Sequence, residues 1–103
     1  MSIMVEFSVV PLGKGVSVST VIAQVMKVVV ESGVSYRANP MGTVLEGENW
    51  DSVMNVVRKC HEVVMKDAER AITAIKIDER KGSVGRMEGK LASVERKLGM
   101  KLN

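Results

Sequence analysis

The chain is short of the residue types that most often carry chemistry. Its 103 residues include one cysteine, one histidine, two prolines, and one each of phenylalanine, tyrosine and tryptophan. A single thiol, Cys60, excludes an intrachain disulfide and most cysteine-based metal sites, and this usage is the one expected of a reducing, cytoplasmic compartment. Three aromatic residues are too few for a platform on which single-stranded nucleic acid would stack. No basic segment leads into an apolar signal stretch, and the apolar runs break long before membrane-spanning length, so neither secretion nor insertion is expected. The acidic residues have no spacing that specifies a metal, and no metal site or cofactor is expected.

What remains is an aliphatic, mixed-charge chain. Apolar residues make up 46% of it, so its interior must be built from Val, Ile, Leu and Met. The length suits a single domain over residues 1–103. The first fifty residues hold three basic and four acidic side chains, and the remainder hold twelve and eight. Because the second set is interleaved, it reads as solvated helix faces rather than a phosphate-binding stripe, and no nucleic-acid partner is expected.

The order of elements follows from period and punctuation. "IMVEFSVV", Ile3 to Val10, reads as a strand with Val5, Phe7 and Val9 on one face and Met4, Glu6, Ser8 and Val10 on the other. A helix follows from about Ser17 or Ser19, carrying Val18, Val21, Ile22, Val25, Val28 and Val29 at helical spacing and closing near Gly33. Valine is a poor helix former, so packing must hold this segment. "VSYRA" and "MGTVLE" read as short strands flanking Asn39 and Pro40. Asn49 then caps a second helix whose stripe is Trp50, Val53, Met54, Val57, Cys60, His61 and Val64. "AITAIKIDE", Ala71 to Glu79, is a fourth strand, and residues 84–98 form a last helix with Ser83 as cap and a seam of Met87, Leu91, Val94 and Leu98.

The series β-α-β-β-α-β plus a terminal helix defines an α+β, ferredoxin-like domain with a four-stranded antiparallel sheet. Both main helices should cover one face, toward which Val5, Phe7, Val9, Ile75 and Ile77 point. The last helix is expected to dock on its own domain or on a neighbouring subunit. The opposite sheet face should carry Glu6 and Ser8 beside Lys76, Asp78 and Arg80. It fits either an ordinary open surface or a polar cavity closed by another subunit.

The stretch "RANPMGTVLEGENWDSV" holds the most suggestive residues. Alternation puts Met41, Thr43 and Leu45 on one face and Gly42, Val44 and Glu46 on the other, so Thr43 and Glu46 share a pocket only if the strand ends or bends before Glu46 or different subunits provide the two sides, and otherwise they serve different sites. Gly42 allows a backbone or a ligand to come close. Punctuation alone also accounts for this segment, since Pro40 starts a strand and Gly47 ends it. Enzyme signatures are weaker still. Cys60 and His61 are neighbours on a helix and diverge by about 100 degrees, which suits burial of the thiol and a boundary position for the imidazole, not a catalytic pair. "PLGKG" lacks both the Walker and the dinucleotide spacing and reads as a strand-helix loop.

Three segments, "FSVVPLGKGVSVS", "VVESGVSYRANPMGTVLEGENWDSV" and "AITAIKIDERKG", resemble the small YkoF-like thiamine-binding protein family over nearly the whole chain. The resemblance implies a non-enzymatic homo-oligomer, dimer or tetramer, that recognises thiamine or its hydroxymethylpyrimidine portion for transport, scavenging or sensing. It marks Ser8, Pro40, Gly42, Thr43, Glu46 and Arg80. Ser8, Thr43 or Glu46 would hydrogen-bond a pyrimidine, Tyr36 or Trp50 would stack on a flat ring, and Arg80 would pair with a carboxylate or meet the phosphate of a phosphorylated ligand. The alternative is a structural or interaction module whose sheet face only mediates oligomerisation.

Overall fold

The computed structural model describes residues 2–13, 18–82 and 85–102. Along them run β1 (Ser2–Leu12), α1 (Val18–Ser32), β2 (Ser35–Asn39), β3 (Gly42–Gly47), α2 (Trp50–Met65), β4 (Arg70–Arg80) and α3 (Arg86–Leu98). The strands form one antiparallel sheet in the order β2-β3-β1-β4. This is the ferredoxin-like arrangement with an added C-terminal helix that the sequence pattern indicates. The proposed caps Ser17 and Ser83, and Lys14 and Gly15 of the loop, lie outside the described residues.

β1 is longer than alternation alone suggests. β4 pairs along it as far as Leu12 opposite Arg70, whereas β3 stops at Thr43 opposite Phe7. Beyond Phe7, β1 has a partner on one side only, which is where a strand tolerates Pro11. The free edge that results borders the candidate site.

One face of the sheet makes the core. Ile3, Val5, Phe7 and Leu45 pack against Val21, Val25 and Val29 of α1 and against Val53, Val56, Val57, Cys60 and Val64 of α2. Each fully buried side chain of this kind contributes roughly 1.5–3 kcal/mol, enough to hold valine-rich helices that propensity would not. The expected stripe of α2 omits Val56, and it includes Trp50, which is 48% exposed. At the start of α2, Asn49 Oδ1 accepts a hydrogen bond from the Ser52 amide at 2.9 Å, as its position before the apolar stripe indicates. Gly47 lets this first turn sit close, because a Cβ there would lie 2.6 Å from Val53 Cγ2.

Two expected core residues are not buried. Ile75 and Ile77 share the face of Phe7 and Val5, their register partners, yet they are 42% and 39% exposed. β4 is the outermost strand, and coverage by α2 fades along it. Alternation reports a residue's face but not its distance from the edge of the sheet.

α3 lies at the opposite face. Only its first turn is deeply placed: Arg86 and Met87 are buried, while Val94 and Leu98 of the seam are exposed. The helix is therefore tethered at one end rather than laid flat.

Candidate functional site

A cleft of about 400 Å³ opens between α1, the free edge of β1 and the β2-β3 turn. Its volume falls in the range that encloses a small ligand. Phe7, Val21, Val25 and Met26 make its floor, and Val18 and Ile22 form a wall. These last two belong to the apolar set of α1, but the core takes only Val21, Val25 and Val29, spaced four apart. Val18 is left 59% exposed and Ile22 50% exposed, facing the opening instead. An apolar stripe wider than the core requires is the sequence signal for this wall, and it was absorbed into the helix prediction.

The polar groups sit at the mouth. Gly42 and Thr43 come from the start of β3, and Ser8 borders the cleft from β1 where its pairing with β3 has ended, its side chain on the face opposite Phe7 and Thr43. Thr43 is nearly buried, and its hydroxyl donates weakly to Met26 Sδ at 3.5 Å, a soft acceptor that a better partner would displace. Asn39 shapes the turn: its Oδ1 accepts from the Met41 amide at 2.8 Å and leaves the side-chain amide toward the cleft rim. Gly42 is explained by backbone contact, since a Cβ there would stand 2.8 Å from the carbonyl oxygen of Phe7. Among the described residues, no ionisable side chain lines this cleft. The site suits a neutral ring with hydrogen-bonding substituents.

Ser8, Gly42 and Thr43 are thus brought together, and the other four expected residues stand elsewhere. Tyr36 pairs with Leu45 on the outermost strand and is 42% exposed. Trp50 begins α2, and Arg80 ends β4 opposite Ser2, exposed. None of the three lines the cleft.

Glu46 has a different occupation. It points to the opposite face from Thr43, as alternation requires, and the strand continues regularly through Gly47. Its Oε2 accepts from the Arg86 amide at 2.8 Å and from the Ser2 hydroxyl at 2.6 Å, and its Oε1 accepts from the Met87 amide at 3.1 Å. A carboxylate on β3 therefore caps α3, whose own cap residue is Gly85 with no side chain to offer. Partial burial pushes the Glu46 pKa up, but the Ser2 hydroxyl, the two amides and the Arg86 charge outweigh it and hold the group below the usual carboxylate range. Within one chain Glu46 and Thr43 therefore stand on opposite faces of the sheet.

Arg86 completes the same tether. Its guanidinium donates to the Ser2 carbonyl at 3.0 Å and to the Asp78 carbonyl at 2.6 Å, and it meets Asp78 Oδ1 at 2.8 Å. Lys90 takes the other Asp78 oxygen at 3.0 Å. Arg86 and Lys90 hydrogen-bond the Asp78 carboxylate and lower its pKa. On the helix-covered side, His61 Nδ1 shares a 2.6 Å hydrogen bond with Thr73 Oγ1, and Cys60 is buried with its pKa pushed up to about 11. Burial of the thiol and a boundary position for the imidazole are what their place on α2 suggested. Among the described residues no group of His, Cys, Asp and Glu is arranged to hold a metal ion. No helix there is long and apolar enough to cross a membrane.

A four-stranded ferredoxin-like domain with a cleft at the β2-β3 turn is the class to which fold and geometry lead. Residues 5–95 match the family described as thiamine-binding protein, and the chain belongs to that family. Curated relatives include a UPF0045 protein of Mycobacterium bovis, 42% identical over 98 residues that cover 95% of this chain and 96% of the relative. A UPF0045 protein of Methanocaldococcus jannaschii is 36% identical over 89% of this chain and 91% of its own length. The solved structure of a hypothetical protein from Methanocaldococcus jannaschii superposes with a TM-score of 0.81 at 35% identity, covering 90% of this chain and 95% of that one. A Thermotoga maritima protein described in terms of thiamine biosynthesis or salvage shares the fold at a TM-score of 0.78, with 23% identity over 91% of this chain and 99% of that one.

Proposed function

We propose that this protein is a non-enzymatic, cytoplasmic binder of the hydroxymethylpyrimidine moiety, free or as part of thiamine, and that it acts as a YkoF-like homo-oligomer in transport, scavenging or sensing. The observation that supports this most directly is the convergence of Ser8, Gly42 and Thr43 on an apolar cleft whose described lining has no charge. A pyrimidine ring is flat, neutral and edged with donors and acceptors, so it matches a slot of aliphatic walls in which the Thr43 hydroxyl has only a weak sulfur partner. The thiazolium cation of thiamine has no counter-ion there and would remain outside, toward solvent. Membership of the thiamine-binding family supports the ligand class.

Calorimetry on the assembled, ligand-stripped protein tests this reading. Stoichiometric binding of hydroxymethylpyrimidine and thiamine is expected, with no turnover of either. Thr43→Val removes a buried hydroxyl with little change of shape and should weaken both by about tenfold, the cost of one lost hydrogen bond. Absence of binding by folded, stripped protein would overturn the proposal. Binding that survives Ser8→Ala, Thr43→Val and Ile22→Asp together would move the ligand to another place.

A further inference from the structure

The face of the sheet that α1 and α2 leave uncovered has a hollow of its own, of about 330 Å³. Register defines its floor. Arg37 on β2 stands opposite Val44 on β3, Val44 opposite Glu6 on β1, and Glu6 opposite Lys76 on β4, so the four form one row across the sheet with their side chains on the same face. Met4 belongs to the neighbouring row, between Glu46 and Asp78, where α3 is fastened. Met87 and Leu91, one helical turn apart, give the hollow an apolar wall. A strip of thioether and aliphatic surface thus runs beside a row of charges.

The fold does not use those charges. In the neighbouring row Glu46 is taken by the α3 amides, and Asp78 by Arg86 and Lys90. The side chains of Glu6, Arg37 and Lys76 are exposed, and among the described residues they have no ion-pair or hydrogen-bond partner. Glu6 and Arg37 lie two strands apart, about 10 Å between backbones, on either side of Val44. A simple anion set between them would meet the like charge of Glu6, and a simple cation would meet that of Arg37. A ligand carrying an ammonium and a carboxylate on one carbon satisfies both, each through a charge-assisted hydrogen bond. Met4, Met87 and Leu91 stand beside that position and offer an adaptable surface to an aliphatic or thioether side chain.

We infer that this hollow is a second binding site, for a free apolar α-amino acid of the leucine or methionine kind. Arg37 holds the carboxylate, Glu6 holds the ammonium, and the side chain lies over Met4 against Met87 and Leu91. Lys76 acts in the opposite sense, because it is the cation directly beside Glu6 and competes with the ammonium of the ligand. The site is on the other face of the sheet from the α1 cleft, and it stands whether or not that cleft binds a pyrimidine.

Calorimetry with L-leucine on the full, folded chain tests the inference. Saturable binding of one leucine per chain is expected. N-acetyl-L-leucine lacks the ammonium, L-leucinamide lacks the carboxylate and glycine lacks the side chain, and each should bind at least tenfold more weakly. Glu6→Gln and Arg37→Met should each raise the Kd about tenfold, whereas Lys76→Met should lower it about twofold. All three side chains are exposed, so the denaturation midpoint of each variant should match that of the unmodified chain. Thr43→Val, which alters only the α1 cleft, should leave the affinity for leucine unchanged. No saturable binding of L-leucine or L-methionine at millimolar concentration would overturn the inference. So would N-acetyl-L-leucine binding as tightly as leucine, or Lys76→Met weakening binding as much as Arg37→Met, since either result describes a general anion surface. Loss of leucine binding in Thr43→Val would place the ligand in the cleft and overturn it as well.

Discussion

The two faces of the sheet are held by different physics. On one, Ile3, Val5, Phe7 and Leu45 meet α1 and α2 through aliphatic contact that has no preferred direction and needs only the right volume. On the other, α3 is fastened by directed bonds: Glu46 on its first amides, Arg86 on Ser2 and Asp78, and Lys90 on Asp78. Damage to the first should spread through the whole domain, and damage to the second should stay local.

The largest effect expected is from Leu45→Ala. The side chain is fully buried, and its loss should cost about 2–5 kcal/mol of global stability in chemical denaturation, with α1 and α2 unfolding together. Arg86→Met should cost about 1–3 kcal/mol, because it removes a buried charged donor from the Ser2 and Asp78 carbonyls and from the Asp78 carboxylate. Here the contrast is sharpest, since amide exchange should accelerate in α3 while the amides of α2 keep their protection. Equal acceleration in both helices would show that the two faces are one cooperative unit.

Glu46→Ala removes a helix cap and should cost about 0.5–2 kcal/mol, again seen first in α3. The same contact gives the open face a dependence on acid. Glu46 and Asp78 have pKa values lowered from 4.5 and 3.8, so their contribution is complete above those unfolded values and is lost as pH falls through the lower folded ones. Exchange in α3 should therefore rise below about pH 4.5 in the unmodified chain. In Glu46→Gln part of that rise should be absent. Substituting Lys27 or Arg58, which form exposed ion pairs with Glu31 and Glu62, should change stability by no more than about 0.5 kcal/mol on either measure.

The helix-covered face was legible because period carries it. Val21, Val25 and Val29, and Val53, Val57, Cys60 and Val64, recur at helical spacing, and the cap Asn49 stands directly before its helix. The tether was not legible. Glu46 caps a helix that begins forty residues later, and no local pattern links a strand carboxylate to a distant pair of amides. Alternation did place Thr43 and Glu46 on opposite faces of a regular strand, which the register of β3 with β1 shows. Ile75 and Ile77 stand on the face their spacing indicates, but their exposure was not legible, since spacing encodes a face and burial depends on what lies beyond the last strand. In the candidate site, Ser8, Gly42 and Thr43 were marked by the family resemblance, since strand propensity and punctuation alone account for residues of these types. Val18 and Ile22 were not, because an apolar helix position reads the same whether it faces core or cleft.

Cys60 turns this architecture into something that can be timed. Its Sγ lies 3.7 Å from the Val25 carbonyl, between the two helices, and burial keeps the thiol protonated at neutral pH. A thiol reagent can reach it only when α1 and α2 part. The rate at which a chromogenic disulfide labels the unmodified protein is thus a clock for that separation. A ligand seated against Val21 and Val25 should slow the clock, while release of α3 alone should leave it unchanged.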